Sequence, residues 1–306
     1  MRVAVTGPTG SIGSELVEEL IAEGNEVIAI VRPGSARIEN IPTTDAVKIV
    51  ECDISNYKSL FGQDNCDLFY HLAWAGTTVD SRNNPISQAD NTLYALDAAS
   101  LAKNWGTRKF IGVGSQAEYG PHNYPLSTST PINPISAYGS AKATACRLCG
   151  TYCKSNGLEF NWTRVLSTYG KNDADSTLIK YVIRTLINGE TPKLTKCEQM
   201  WDYIYSRDCA KALIAIGQKG VDGKAYPIGY GSAKRLKEYV EDIRTTINPN
   251  LPIDYGAIEY YPDQPMMLCA DISELTADTG FKPETVFKDG IKQIIKQMYP
   301  EFSCHE

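Results

Sequence analysis

The sequence predicts an α/β fold: a doubly wound parallel sheet with a smaller, interleaved C-terminal substrate domain. Three observations lead there. Short β-branched runs alternate with amphipathic helical stretches through the first two-thirds of the chain. A glycine triplet, TGPTGSIG, follows the first run directly. The final third breaks into helical runs separated by prolines. At 306 residues the chain can form one large α/β domain, or a large one with a small partner.

The expected strands begin with RVAVT (2–6), VIAIV (27–31), VKIVE (47–51), LFYHLA (68–73) and KFIGVG (109–114). A helix or loop separates each from the next, which requires crossovers and hence parallel pairing. SIGSELVEELIAE (11–23) places Ile12, Leu16, Leu20 and Ile21 at helical spacing. The stretch from Ser87 to Asn104 does the same with Leu93, Leu96, Ala99 and Leu101, and a third helix is expected from Ser136 to Lys154. Strands recur at LEFNWTRV (158–165), DYIYS (202–206) and AYPIG (225–229). Helical runs near 175–188, 233–247 and 285–298 are set off by Pro252, Pro262, Pro265 and Pro283. The expected division is a dinucleotide-binding domain over 1–168, with 200–230 returning to it. The substrate domain takes 169–199 and 231–306.

Composition narrows the partners. A net charge of −6 disfavours nucleic acid, which wants a basic face. No apolar run approaches the roughly 18 residues of a membrane span. MRVAVTG enters a strand pattern at once, leaving no room for a signal peptide. Nine cysteines without paired spacing read as reduced thiols of a cytoplasmic protein. Cys146, Cys149 and Cys153 lie near one helix face; with no histidine or second cysteine pair beside them they read as packing residues, and no metal is expected.

The glycine triplet suits a dinucleotide. Gly7, Gly10 and Gly13 allow a tight turn, a close backbone approach to a pyrophosphate and close helix–strand packing, and the helix N-terminus adds free N–H groups. Asp53, in CDIS after the third strand, can accept from an adenine amino group or cap the next helix. Tyr138 and Lys142, in AYGSAK, share a helix face four residues apart. A phenol titrates near pH ~10, and an ammonium beside it is expected to lower that value, making the tyrosine a proton shuttle during hydride transfer. Ser115, at the end of KFIGVG, can polarise the substrate oxygen.

TGPTGSIG, HLAWAG, Asn91, SQAEYG, AYGSAK and QMWDYIYSRD, in this order, resemble the extended short-chain dehydrogenase/reductases that act on nucleotide sugars, the NAD(P)-dependent epimerase/dehydratase family. The resemblance covers nearly the whole chain. It implies a Rossmann domain of about seven strands, a small domain over a nucleotide-diphosphate sugar, and a homodimer through two helices. It implies a Ser115–Tyr138–Lys142 triad. Cofactor contacts follow along the glycine loop at Gly7, Thr9, Gly10, Ser11, Ile12 and Gly13. Further contacts are implied at Asp53, Ile54, Leu72, Ala73, Trp74, Asn91 and Val165, with Tyr138 and Lys142 shared between cofactor and chemistry.

Departures from the family pattern narrow the reaction. Sugar 4,6-dehydratases carry an Asp-Glu pair where this chain has Gln116-Ala117. Decarboxylating members use a glutamate at position 117, and fucose-forming members a cysteine. Alanine supplies no acid or base. Hydride and proton transfer at one carbon remains, as in a 4-epimerase or a ketoreductase. Ser167 stands where many epimerases have asparagine, and Trp201 where the commoner pattern has arginine. With Ser115, Gln116 and Gln199 they are the candidates for seating the substrate.

The cofactor is read from VIAIVRPGS. Val31 stands where NAD-preferring epimerases carry an aspartate, and the Arg32 guanidinium and Ser35 hydroxyl can bind a 2′-phosphate. NADP(H) is therefore expected, with NAD the alternative. NADPH in turn points to reduction of a nucleotide-diphospho-4-keto-6-deoxysugar, against an NAD-dependent 4-epimerase, a non-sugar ketone reductase or a non-catalytic NADP sensor.

Overall fold

The computed structural model describes residues 1–78, 81–262 and 264–304; residues 263, 305 and 306 of the expected small domain lie outside that description. Along the first half run β1 (Arg2–Thr6), α1 (Ser11–Ala22), β2 (Glu26–Val31), β3 (Val47–Glu51), β4 (Leu68–His71), α2 (Pro85–Asn104), β5 (Lys109–Ser115), α3 (Ala137–Ser155) and β6 (Glu159–Val165). There follow β7 (Ser167–Tyr169), α4 (Leu178–Ile187), β8 (Lys193–Leu194), β9 (Met200–Trp201), β10 (Tyr203–Tyr205), α5 (Ser206–Lys219) and β11 (Ala225–Ile228). The chain closes with β12 (Lys234–Arg235), α6 (Leu236–Ile247), β13 (Asp254–Tyr255), β14 (Met267–Leu268), α7 (Ser273–Thr279) and α8 (Phe287–Met298).

Seven strands form the main sheet in the order β11-β6-β5-β4-β1-β2-β3, parallel throughout. Alternation along each strand feeds two cores. Val3 and Val5 of β1 pack towards Leu16 and Leu20 of α1 and Leu213 of α5. Ala4 faces the other way, towards the layer built from Ala95, Ala98 and Ala102 of α2 and Ala145 of α3. With both faces covered, β5 is buried along its whole length. The chain reverses its direction of travel between β1 and β4, and the carboxyl ends of those strands open a crevice there.

Two features depart from the sequence expectation. Helix α5 interrupts the expected return to the sheet: no glycine or proline separates it from DYIYS, and its buried alanines, Ala210 and Ala212, blur the helical pattern. Residues 200–205 do not return to the main sheet. β9 lies between β12 and β14 in a three-stranded sheet, and β10 pairs with β7; pairing partners so distant in sequence leave no local signal.

α4, α6 and α8 surround a separate core of Ile183, Val240, Ile243, Ile291 and Ile295. Cys149 and Cys153 are buried against the main sheet and Cys146 packs at the edge of the same core. Burial pushes the Cys146 and Cys153 thiols up to about 12. All nine cysteines are free thiols. Among the described residues no helix is long and apolar enough to cross a membrane.

Candidate active site

Gly7 leaves β1 with a φ of +68°, which L side chains rarely adopt. A methyl group there would come within 2.8 Å of the Ala73 nitrogen. One at Gly13 would overlap the Gly7 carbonyl oxygen. The loop is therefore pressed between α1 and the chain leaving β4. α1 starts at Gly10 with no side-chain cap, so its first N–H groups and the positive end of its dipole are free for an anion.

This end of α1 opens on a cleft of about 800 Å³, within the range of about 300–1,000 Å³ usual for small-ligand sites. The whole glycine loop, Ile54, Leu72, Ala73 and Trp74 lie on its wall. A cradle that a Cβ would fill, below an uncapped helix end, fits a dinucleotide pyrophosphate. At the far end the wall is Val31, Arg32, Ser35 and, beyond the sequence expectation, Arg37.

Asp53, Asn91 and Val165 make contacts within the protein. Asp53 is absent from the wall, where its neighbours Cys52 and Ile54 stand. Its Oδ1 accepts from Ser55 N at 3.0 Å and Ser55 Oγ at 2.6 Å, bonds that hold its carboxyl below the usual range. Its carboxylate caps the turn that follows. Buried Asn91 is also off the wall; it clamps Ala75, donating to its O at 2.9 Å and accepting from its N at 2.8 Å. Val165 is buried at the end of β6, and Val113 and Thr168 form the wall instead.

Ser115 at the end of β5 and Tyr138 and Lys142 on α3 lie on neighbouring elements. Ser136 caps α3, accepting from Gly139 N at 3.1 Å, and this sets the first turn that carries Tyr138. The Tyr138 phenol lies near the Ser115 and Arg82 side chains, both of which oppose the rise that burial imposes on it. The Arg82 guanidinium lies 4.5 Å from the Tyr138 ring centre. Lys142 Nζ donates to Val113 O at 2.6 Å and sits 3.7 Å from the Trp74 ring centre. Burial pulls Lys142 down to about 7, against an opposing pull from Glu118.

One electrostatic expectation is overturned. Burial pushes the Tyr138 phenol up, and the cation that opposes this is Arg82, not Lys142. Lys142 Nζ is 6.0 Å from the Tyr138 ring centre and turned to the Val113 carbonyl, so the four-residue spacing delivers a shared face without a contact.

On the substrate side Trp201 Nε1 donates to Ser167 Oγ at 2.8 Å. Gln199 is buried and its Oε1 has no partner among the described residues. Gln116 opens the 3-10 turn Gln116–Glu118 that follows Ser115. Arg82 and Glu118 had no signature in the sequence: one lies in a polar loop, and the other looks like a solvent charge until the sheet buries it.

A parallel sheet with a glycine-walled crevice at its switch point defines a protein that binds a nicotinamide dinucleotide. The chain belongs to the NAD-dependent epimerase/dehydratase family, whose model matches residues 3–229. It is 27% identical over 304 residues to UDP-glucuronic acid decarboxylase 3 of Arabidopsis thaliana, covering 95% of this chain and 87% of the relative. It is 24% identical over 316 residues to UDP-glucose 4-epimerase of Mycolicibacterium smegmatis, covering 97% and 98%. Among solved structures, UDP-N-acetylglucosamine 4-epimerase of Methanobrevibacter ruminantium superposes with a TM-score of 0.86 at 27% identity, over 97% of this chain and 99% of that one. UDP-glucose 4-epimerase of Thermotoga maritima gives 0.89 at 21% identity, over 98% and 99%, a likeness of fold.

Proposed function

We propose that this protein is a nucleotide-sugar 4-epimerase. The observation that carries the reading is the composition of its acid–base group: Ser115 lies near Tyr138, with Ala117 in place of a further acid. Glu118 cannot stand in for that acid. It is fully buried, and its carboxylate is already taken by Ser115 N, Trp162 Nε1 and Arg164 Nε. Elimination and decarboxylation are thereby disfavoured, and proton plus hydride transfer at one carbon remains. The 4-epimerases among the similar proteins support the same reading.

Nicotinamide, when bound, supplies the hydride acceptor. To take the proton of the sugar hydroxyl Tyr138 Oη must be the phenolate, a form the Arg82 cation beside it favours; it later returns that proton. Ser115 Oγ accepts from Ala117 N at 3.2 Å, which leaves its own proton for the developing carbonyl oxygen. Lys142 is held on the Val113 carbonyl, where it can orient a ribose hydroxyl.

A second reading, a 4-keto-sugar reductase using NADPH, is favoured by the Arg32, Ser35 and Arg37 wall, which has the chemistry for a 2′-phosphate. A homodimer is proposed through the outer face of α2 and α3, where Ile86, Leu93 and Leu148 are exposed beside a groove lined by Ala89, Ala137 and Ala141.

The test is incubation of UDP-glucose, UDP-N-acetylglucosamine and UDP-glucuronic acid with NAD or NADP, read by proton NMR and by absorbance of reduced nicotinamide. The expected result is the 4-epimer with no net change in absorbance. Stoichiometric NADPH consumption with a 4-keto sugar, and no epimer, would install the second reading.

A further inference from the structure

Glu118 is completely buried three residues beyond Ser115. Its Oε1 accepts from Ser115 N at 2.9 Å and from Trp162 Nε1 at 2.9 Å, and its Oε2 accepts from Arg164 Nε at 2.9 Å. The Ser115 side chain accepts from Ala117 N in return, so serine and glutamate form a reciprocal capping box at the strand end. The sheet is shaped around this carboxylate. A Cβ on Gly114 would overlap both Glu118 Oε1 and Trp162 Nε1, and one on Gly112 would overlap the Trp162 ring. Arg164 in turn lies over the Tyr119 ring, 5.0 Å from its centre.

A buried carboxylate–guanidinium pair is not in itself a source of stability, since desolvation offsets much of the attraction. Apolar residues of the same volume would fill the space as well. What such residues could not do is accept from the serine nitrogen. We infer that Glu118 is a positioning residue for catalysis: with Arg164 and Trp162 behind it, it fixes Ser115 so that the hydroxyl faces the reacting oxygen. The inference rests on the reading of Ser115 as part of the acid–base group.

Two paired substitutions separate this role from folding. Glu118→Gln with Arg164→Gln keeps an acceptor for Ser115 N and removes both charges. Glu118→Leu with Arg164→Met keeps the volume and removes the acceptor. The expected result is near wild-type kcat for the first pair and a loss of about tenfold or more for the second, with dinucleotide affinity alike in both. Hydrogen exchange of the peptide covering residues 109–120 needs no substrate and should show the Ser115 amide protected in the first pair and exposed in the second. Equal kcat and equal protection would overturn the inference. Should the second pair fail to fold, Glu118→Asp retains the charge but is one methylene too short for Ser115 N. It is expected to lose kcat likewise, and a wild-type kcat in Glu118→Asp would also overturn the inference. If the wild type turns over no nucleotide sugar, the reaction proposed above fails, while the exchange of the Ser115 amide still decides the role of Glu118.

Discussion

Trp201 Nε1 donates a hydrogen bond of 2.8 Å to Ser167 Oγ and so ties β9 to β7. Both residues depart from the pattern of the resembled family, which more often has arginine and asparagine there. The two departures are therefore one coupled feature: a neutral indole–hydroxyl pair stands where a charged and an amide side chain are usual. Ser167→Ala and Trp201→Phe should be non-additive in urea unfolding, with a coupling of about 0.5–1.5 kcal/mol. Strict additivity would mean the bond does not form in solution.

The two ends of the cleft respond to different substitutions. Arg32→Ala and Arg37→Ala should each weaken NADPH binding about tenfold or more, with little change for NADH, since loss of a charge-assisted bond to phosphate costs roughly 1.5–3 kcal/mol. Titration of both dinucleotides by fluorescence reads this directly. Equal losses for both cofactors would remove the 2′-phosphate from the argument and leave the NAD-dependent epimerase alone.

The glycine loop separates folding from binding. A Cβ on Gly13 meets the fixed Gly7 carbonyl, whereas one on Gly10 reaches only 3.6 Å from that oxygen. Gly13→Ala should cost about 1–3 kcal/mol of stability. Gly10→Ala should stay within about 0.5 kcal/mol of wild type yet bind dinucleotide more weakly. A melting temperature and a dissociation constant for each variant suffice, and a normal melting temperature for Gly13→Ala would refute the packing account.

Lys142 makes stability depend on pH. Burial lowers it to about 7 in the folded chain from its ordinary 10.5. Between those values the unfolded chain holds the extra proton, so the contribution of Lys142 to stability rises with pH from about 7 to about 10.5. The slope cannot exceed about 1.4 kcal/mol per pH unit. Lys142→Met should abolish this component, so the wild type gains on the variant as pH rises through that window. Parallel stability curves would show that the lysine is not desolvated.

Removing the Tyr138 hydroxyl should leave the fold intact and reduce turnover by about 10²–10⁴-fold, the usual worth of a positioned acid–base group. Tyr138→Phe retaining full turnover would assign the proton to another group.

Short-range patterns were enough for much of this protein. Alternation of β-branched runs with helical spacing marked the strands that became the seven-stranded sheet. The glycine triplet marked its own loop, since only glycine fits where Gly7 and Gly13 touch backbone. The sequence alone also placed Tyr138 and Lys142 on one face of a helix, as four-residue spacing does by geometry.

What the tertiary structure decided were quantities that depend on residues far apart in the chain. Burial overrode the ammonium in setting the Tyr138 phenol, and Arg82, from a loop over fifty residues away, became its cation. Asp53 became a local cap because Ser55 lies within reach of its carboxylate. Glu118 had no assigned place in the sequence pattern; β5 and β6 closed over it and gave it three donors. A local pattern fixes which face a residue takes, but its partners, its desolvation and so its chemistry come from the segments that pack on that face.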